Sequence, residues 1–328
     1  MLPKTLLIAL LFLTSLNFTY LSAQDSGCTR RTVAVGVVDR EWNLVQGLSA
    51  ANFRGRLHGR DVEVLSASVN TSPRHIVLLL DASGSMMGGS GKWDTAKSLS
   101  EDLIRFAPPR ASIAQMAFTD NVLDTAAFEQ DRLTLLKRLA ALVKVSEQSR
   151  QRRDTALYDA ISSGLSALGS LDFGDVIYAV TDGGDNTSEI PPERVEQDLL
   201  RAGVRLFSVL TDSGRGMRGR VSEKAEGPNR LLFMVETTGG NMLTLPYGKT
   251  SRPNPHIKAR TRSGAVDLAL HRLYQQMGEF YRLDLRLPET VDKPTSWKLE
   301  VIHADGRPSP QVKVRYPQQL MPCARANP

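Results

Sequence analysis

Five consecutive apolar residues, Ile76 to Leu80, lie between His75 and Asp81 and constrain this chain more than any other stretch. A run that short, with no polar face, fits a strand covered on both sides, as in a parallel sheet. It ends in Asp81-Ala-Ser-Gly-Ser85, which spaces three oxygen-bearing side chains, Asp81, Ser83 and Ser85, at alternate positions. Gly84 and its small neighbours let the chain turn sharply, and hard oxygens gathered in one turn suit Mg²⁺, Ca²⁺ or Mn²⁺. In open α/β sheets ligands bind beyond the carboxyl ends of strands, where this loop falls. The competing reading is a Ser/Gly-rich turn whose Asp caps the next helix. One such loop decides nothing.

The pattern around it is more telling. From residue 73 onward strands and helices alternate, the mark of a parallel α/β fold. Helices are expected over 93–106, 133–145, from Asp154 to about Leu168, 192–201 and 271–280. Strands are expected over 112–119 and 123–128, around a tight Asp120-Asn121 turn, and over 175–180 and 204–210. Gly203 should stop the helix that Pro191-Pro192 starts. Segment 212–229, Gly-rich and basic, is expected as a long exposed loop, and 231–245 is ambiguous around Gly239-Gly240 before a short strand. Before this core, 32–38 and 61–69 have strand character, separated by a turn at 39–43 and a connecting segment at 45–53. After it, 281–287, 297–302 and 312–316 alternate like strands, with a turn at Asp305-Gly306. The expected architecture is therefore a doubly wound, mostly parallel α/β sheet plus a small β domain built from both chain flanks. The divisions are a signal segment at 1–23, a β segment at 24–72, the α/β domain at 73–280 and a second β segment at 281–328 packed with the first.

Export is expected from the N-terminus: Lys4 supplies a positive start, Leu6 to Leu13 an apolar core, and Ser22-Ala23 a small-residue cleavage point. Leu21, large for its position, leaves an uncleaved anchor as the alternative; otherwise no insertion into a membrane is expected after cleavage. Removing residues 1–23 takes away Lys4 and no acid, which lowers the formal charge from +6 to +5. Spread over the chain, that excess gives solubility and no nucleic-acid footprint. The most basic tract, 249–262, is Pro-rich, lacks interleaved aromatics and is expected as a solvated loop. The two cysteines, Cys28 and Cys323, lie near the two ends, and in an oxidising compartment they are expected to form one disulfide. A lipid on Cys28 is the weaker alternative, because Asp25 stands where an apolar residue would be needed.

Two further loops bear on the acid turn. Thr155 opens a helix, and Asp182 ends an apolar strand as Asp81 does. In a doubly wound sheet Asp81, Ser83, Ser85, Thr155 and Asp182 would meet at one edge. This hydroxyl-rich, carboxylate-poor set suits an octahedral Mg²⁺ that keeps waters or takes an outside ligand, with Ca²⁺ or Mn²⁺ as alternatives. The nearby acids Asp185 and Asp154 are assigned to a turn and to a helix N-cap.

With these loops in place the sequence resembles the von Willebrand factor type A family over about residues 73–245. That family's metal-ion-dependent adhesion site is D-x-S-x-S on a first loop, Thr on a second and Asp on a third. Asp81, Ser83 and Ser85 match the first, Thr155 the second and Asp182 the third. The flanks, from Val38-Asp39 to Phe53 and from Tyr281 to Tyr316, make the whole resemble the secreted bacterial proteins called acidobacterial VWFA-related. The resemblance implies a secreted or periplasmic adhesion module whose metal keeps one coordination position for a partner's carboxylate. The partner itself is not named by the sequence.

Other function classes fare worse. Gly91-Lys92 looks like the end of a phosphate loop, but Met86 occupies the required first Gly and Trp93 replaces the Ser/Thr. No G-x-S-x-G elbow or H-E-x-x-H motif occurs, and no general base accompanies the acids. An enzyme, such as a metal-assisted hydrolase, is therefore not expected. A structural module whose metal only stiffens the loops stays as the alternative.

Overall fold

The computed structural model describes residues 26–72, 74–88, 91–148, 154–169, 172–212, 223–246, 264–303 and 305–323. The expected signal segment and the basic tract 249–262 lie outside the described residues.

A helical turn, α1 (Ser26–Thr29), leads into β1 (Arg30–Val38), then β2 (Phe53–Leu57) and β3 (Arg60–Asn70). The last two form a hairpin whose tip, His58-Gly59, has positive φ at both residues (49° and 80°), the twist that suits a two-residue hairpin. The central unit runs β4 (His75–Asp81), α2 (Gly84–Met87), α3 (Lys92–Phe106), β5 (Ser112–Phe118), β6 (Val122–Glu129) and α4 (Arg132–Gln148). It continues with α5 (Leu157–Leu168), β7 (Val176–Thr181), α6 (Pro192–Ala202), β8 (Arg205–Asp212), α7 (Glu223–Thr237), β9 (Met242–Pro246) and α8 (Gly264–Gly278). The chain closes with β10 (Phe280–Arg286), β11 (Thr295–Ser296), β12 (Lys298–Val301), β13 (Lys313–Arg315) and β14 (Gln319–Leu320).

The central sheet has the order β6-β5-β4-β7-β8-β9, parallel except for the β5–β6 hairpin. Successive side chains of β4 enter opposite cores. Ile76, Leu78 and Leu80 pack with Leu99 and Leu103 of α3 and Tyr274 of α8. Val77 and Leu79 pack with Leu157 and Ile161 of α5 and Leu199 of α6. Every apolar side chain of the run is buried, and each contributes about 2 kcal/mol relative to exposure. After β4 the chain builds outward through β5 and β6, then returns to place β7 on β4's other side. The strand order therefore reverses between β4 and β7, and the crevice at their carboxyl ends is the topological switch point where such sheets take ligands.

The flanks form a second, antiparallel sheet of order β12-β2-β3-β10-β1-β13. β10 lies between β3 and β1, so the two ends of the chain are interleaved. Its apolar face gathers Val33, Val35, Leu57, Tyr281, Leu283 and Trp297. Arg205 at the start of β8 joins the two sheets. Its guanidinium donates to the carbonyls of Gln276 (2.9 Å), Met277 (2.6 Å) and Gly174 (3.2 Å) and lies over the Phe280 ring. Burial pulls this guanidinium down to about 9.

Three expectations are corrected. The segment expected as a loop over 212–229 contains the first half of α7. Pro228 lies inside that helix, and the burial of Leu231, Met234 and Val235 outweighs the Gly227-Pro228-Asn229 turn signal. The expected disulfide is not formed: Cys28 and Cys323 are separate, half-buried thiols. The Arg31 guanidinium, not a second sulfur, contacts the Cys323 Sγ at 3.2 Å. The last helix, expected over 271–280, is α8 and begins at Gly264. Two local expectations hold: Gly203 ends α6 in the left-handed conformation, and β5 and β6 turn at Asp120-Asn121.

Candidate metal centre

Asp81 ends β4 and Thr181 ends β7, one step beyond the paired residues Leu80 and Val180. Parallel register puts the two side by side, and the Thr181 hydroxyl donates to Asp81 Oδ2 at 2.6 Å. The Ser83 amide donates to Asp81 Oδ1 at 2.9 Å and folds the loop back over the strand end. The hydroxyls of Ser83 and Ser85 lie 3.1 Å apart. Asp81 is fully buried, whereas Ser85 is exposed, so the turn runs from the core to the surface within five residues. Burial, and then the negative charge of Asp182, push the Asp81 carboxyl up to about 6, against the pull of its hydrogen bonds.

Asp182 follows β7 and reaches the same place from the neighbouring strand. Its Oδ1 accepts the Gly184 amide, and its Oδ2 accepts the Lys92 ammonium at 2.7 Å. The third loop is stitched to the second. The Thr155 amide donates to Asn186 Oδ1 at 2.7 Å, and its carbonyl accepts the amides of Asn186 and Thr187. The Ala156 amide donates to the Thr119 carbonyl at the end of β5. Thr155 is thereby held, buried, on the switch-point edge, and its hydroxyl makes no hydrogen bond among the described residues.

The five residues named from the sequence thus stand on three adjoining loops. Direct contacts or mutual electrostatics join Asp81, Ser83, Ser85 and Asp182, and Thr155 is tied in through its backbone. The neighbouring acids take other roles. Asp185 accepts the Leu157 amide at 2.8 Å and the Ser188 hydroxyl, so it caps α5 from across the crevice. Asp154, expected as that cap, instead accepts Asn186 Nδ2 at 3.2 Å, and the cap position belongs to Ala156. Two contributors escaped the sequence reading. Thr181 gave no motif signal, and Lys92 was noticed only as a fragment of a phosphate loop.

The donor set consists of two carboxylates and three hydroxyls, all hard oxygens, with the charge and softness that suit Mg²⁺ or Mn²⁺. No group of three or more His, Cys, Asp or Glu side chains that could hold a metal occurs among the described residues. A cation here would depend on the hydroxyls and on water. One observation marks the spot as electronegative: the ammonium drawn onto Asp182 at 2.7 Å. The residues fit a small divalent ion.

No curated protein matches the sequence. Among solved structures the chain is similar to an aerotolerance-related membrane protein from Bacteroides fragilis (14% identity, TM-score 0.46, covering 62% of this chain and 98% of that one). It is also similar to a von Willebrand factor type A protein from Catenulispora acidiphila (13% identity, TM-score 0.43, 88% and 72% covered). A third is the vWF domain of the type V pili tip protein Mfa5 from Porphyromonas gingivalis (11% identity, TM-score 0.42, 54% and 90% covered). The family model of the von Willebrand factor type A domain matches residues 75–243, more than half of the sequence. The chain belongs to the von Willebrand factor type A domain family.

Proposed function

We propose that this is an exported adhesion module that holds a divalent cation, Mg²⁺ by preference, at Asp81, Ser83, Ser85, Thr155 and Asp182. The observation that carries the reading is the convergence of these oxygen donors from three loops on the switch-point edge. Bound there, the ion supplies a Lewis-acidic coordination position. With only two carboxylates around it, a carboxylate from a partner protein is attracted to complete the shell. The chain's own residues do the rest. Thr181 and the Ser83 amide orient Asp81, while the Asn186 contacts hold Thr155 against the loop after β7.

The module is a binder rather than an enzyme in this reading. Lys92, the titratable side chain in contact with Asp182, is already engaged, and His75 begins the strand that Asp81 ends, so it stands at the strand's opposite end. Export rests on the N-terminal segment with Lys4 and its apolar core. No helix among the described residues is long and apolar enough to cross a membrane. The test is affinity capture from the producing cell's exported proteins in Mg²⁺ and in EDTA, with wild type and Asp182→Ala. Capture that needs both Mg²⁺ and Asp182 supports adhesion through the ion. Capture that survives EDTA while the chelated protein melts earlier points to an ion that only stiffens the loops.

A further inference from the structure

Lys92 sits where neither helix chemistry nor solvation favours it. It is the first residue of α3, a fifteen-residue helix, and an N-terminal turn repels cations and attracts acids such as Asp94 two residues on. Its side chain is only 10% exposed and that of Asp182 only 11%, so the ammonium has given up most of its water. What holds it is Asp182 Oδ2 at 2.7 Å, its polar partner among the described residues. Gly91 ahead of it adopts φ 78°, a left-handed turn that delivers the lysine stem into the crevice instead of outward. Asp182 is also one of the two carboxylates assigned above to the divalent ion.

We propose that Lys92 is a tethered counter-ion that occupies the cation's place on Asp182, so that lysine and divalent ion exclude one another. This rests on the cation reading above and adds a regulating residue to it. In the closed state the ammonium neutralises Asp182 beside the buried Asp81 and keeps the loops assembled without metal. An incoming divalent ion and an ammonium on the same carboxylate repel, so metal entry sends the flexible four-carbon stem of Lys92 out to solvent. Apparent metal affinity is then lowered by the fraction of molecules in which Lys92 is closed over Asp182.

The test is Mn²⁺ titration by calorimetry on the full chain, comparing wild type with Lys92→Met. Tighter Mn²⁺ binding by the variant, by about tenfold, is expected if nine molecules in ten are closed. The chelated variant should also melt below chelated wild type, with the gap closing in saturating Mn²⁺, where Lys92 no longer sits on Asp182 in wild type either. Equal or weaker Mn²⁺ binding by the variant overturns the lysine switch while leaving the metal site standing. No heat from either protein overturns both. Amine-labelling footprints of wild type alone guard against a misfolded variant: Lys92 should be protected in EDTA and labelled in Mn²⁺. Equal labelling in the two conditions contradicts the proposal.

Discussion

The two sheets of this molecule use the same apolar residues to opposite ends. In the parallel sheet β4 and β7 are buried on both faces, and their carboxyl ends point the same way. Loops after neighbouring strands are thus collected at one edge, which brings Asp81 and Asp182 together, and the turn before α5 adds Thr155 there through its bonds to Asn186. In the antiparallel sheet strand directions alternate, so loops are shared between two edges and one face stays open to polar residues. Two aspartates show the consequence. Asp284 on β10 accepts the Thr32 and Ser66 hydroxyls, each at 2.7 Å, and these bonds hold its half-exposed carboxyl below the usual range. Asp81 also has two donors, yet burial and Asp182 push it the other way. Equal hydrogen bonding with opposite burial separates a structural acid from one suited to an ion.

The strongest way to break this contrast is to hollow out each sheet in turn. Leu79→Ala and Leu283→Ala both remove a fully buried side chain and should each cost about 3 kcal/mol in urea unfolding. Only Leu79→Ala should also weaken cation binding by the folded fraction, because Leu79 supports the strand that carries Asp81. Equal weakening in both would show that the site does not belong to the parallel sheet alone. Next in size is Arg205→Met, which leaves three buried carbonyls without their donor and should cost about 2–3 kcal/mol. Because Arg205 ties the sheets together, calorimetric unfolding should split toward two transitions.

Smaller effects sharpen the comparison of the two acids. Thr181→Val removes the 2.6 Å bond to Asp81 and should cost about 1–2 kcal/mol, with a modest loss of cation affinity. Asp284→Asn should cost less than about 1 kcal/mol at neutral pH, since the side chain is exposed enough to be screened. Its sign comes from the lowered carboxyl. The stabilisation is present above the ordinary value of 3.8 and is lost as pH falls through the lower native value, so wild type and variant should converge in acid unfolding. Arg286→Ala, which breaks an exposed pair with Glu63, should change stability by about 0.5 kcal/mol or less.

What was legible in the sequence was local. The β4 run, its Asp-x-Ser-x-Ser turn and the Val180-Thr-Asp182 ending each carry their own signature in adjacent residues, and the alternation of strands and helices gave the fold class. The helix α7 escaped because Gly227-Pro228-Asn229 is a turn in local chemistry, while Leu231 and Val235 find their partners only once β8 is in place. β2 was given no assignment beyond Phe53, because its five residues are short, have Gly55 at their centre, and gain strand identity only between β3 and β12. Lys92 and Asp182 lie ninety residues apart, so no spacing rule joins them. The cysteines failed for the reverse reason, as ends that share a sheet need not place two sulfurs in bonding reach.

The central claim is that the parallel sheet's switch-point edge binds a divalent ion through Asp81. Calorimetric titration of Mg²⁺ and Mn²⁺ into wild type and Asp81→Ala tests it most directly, with circular dichroism confirming that both are folded. The account predicts saturable one-site binding in wild type and none in the variant. Equal heats from the two proteins would contradict it.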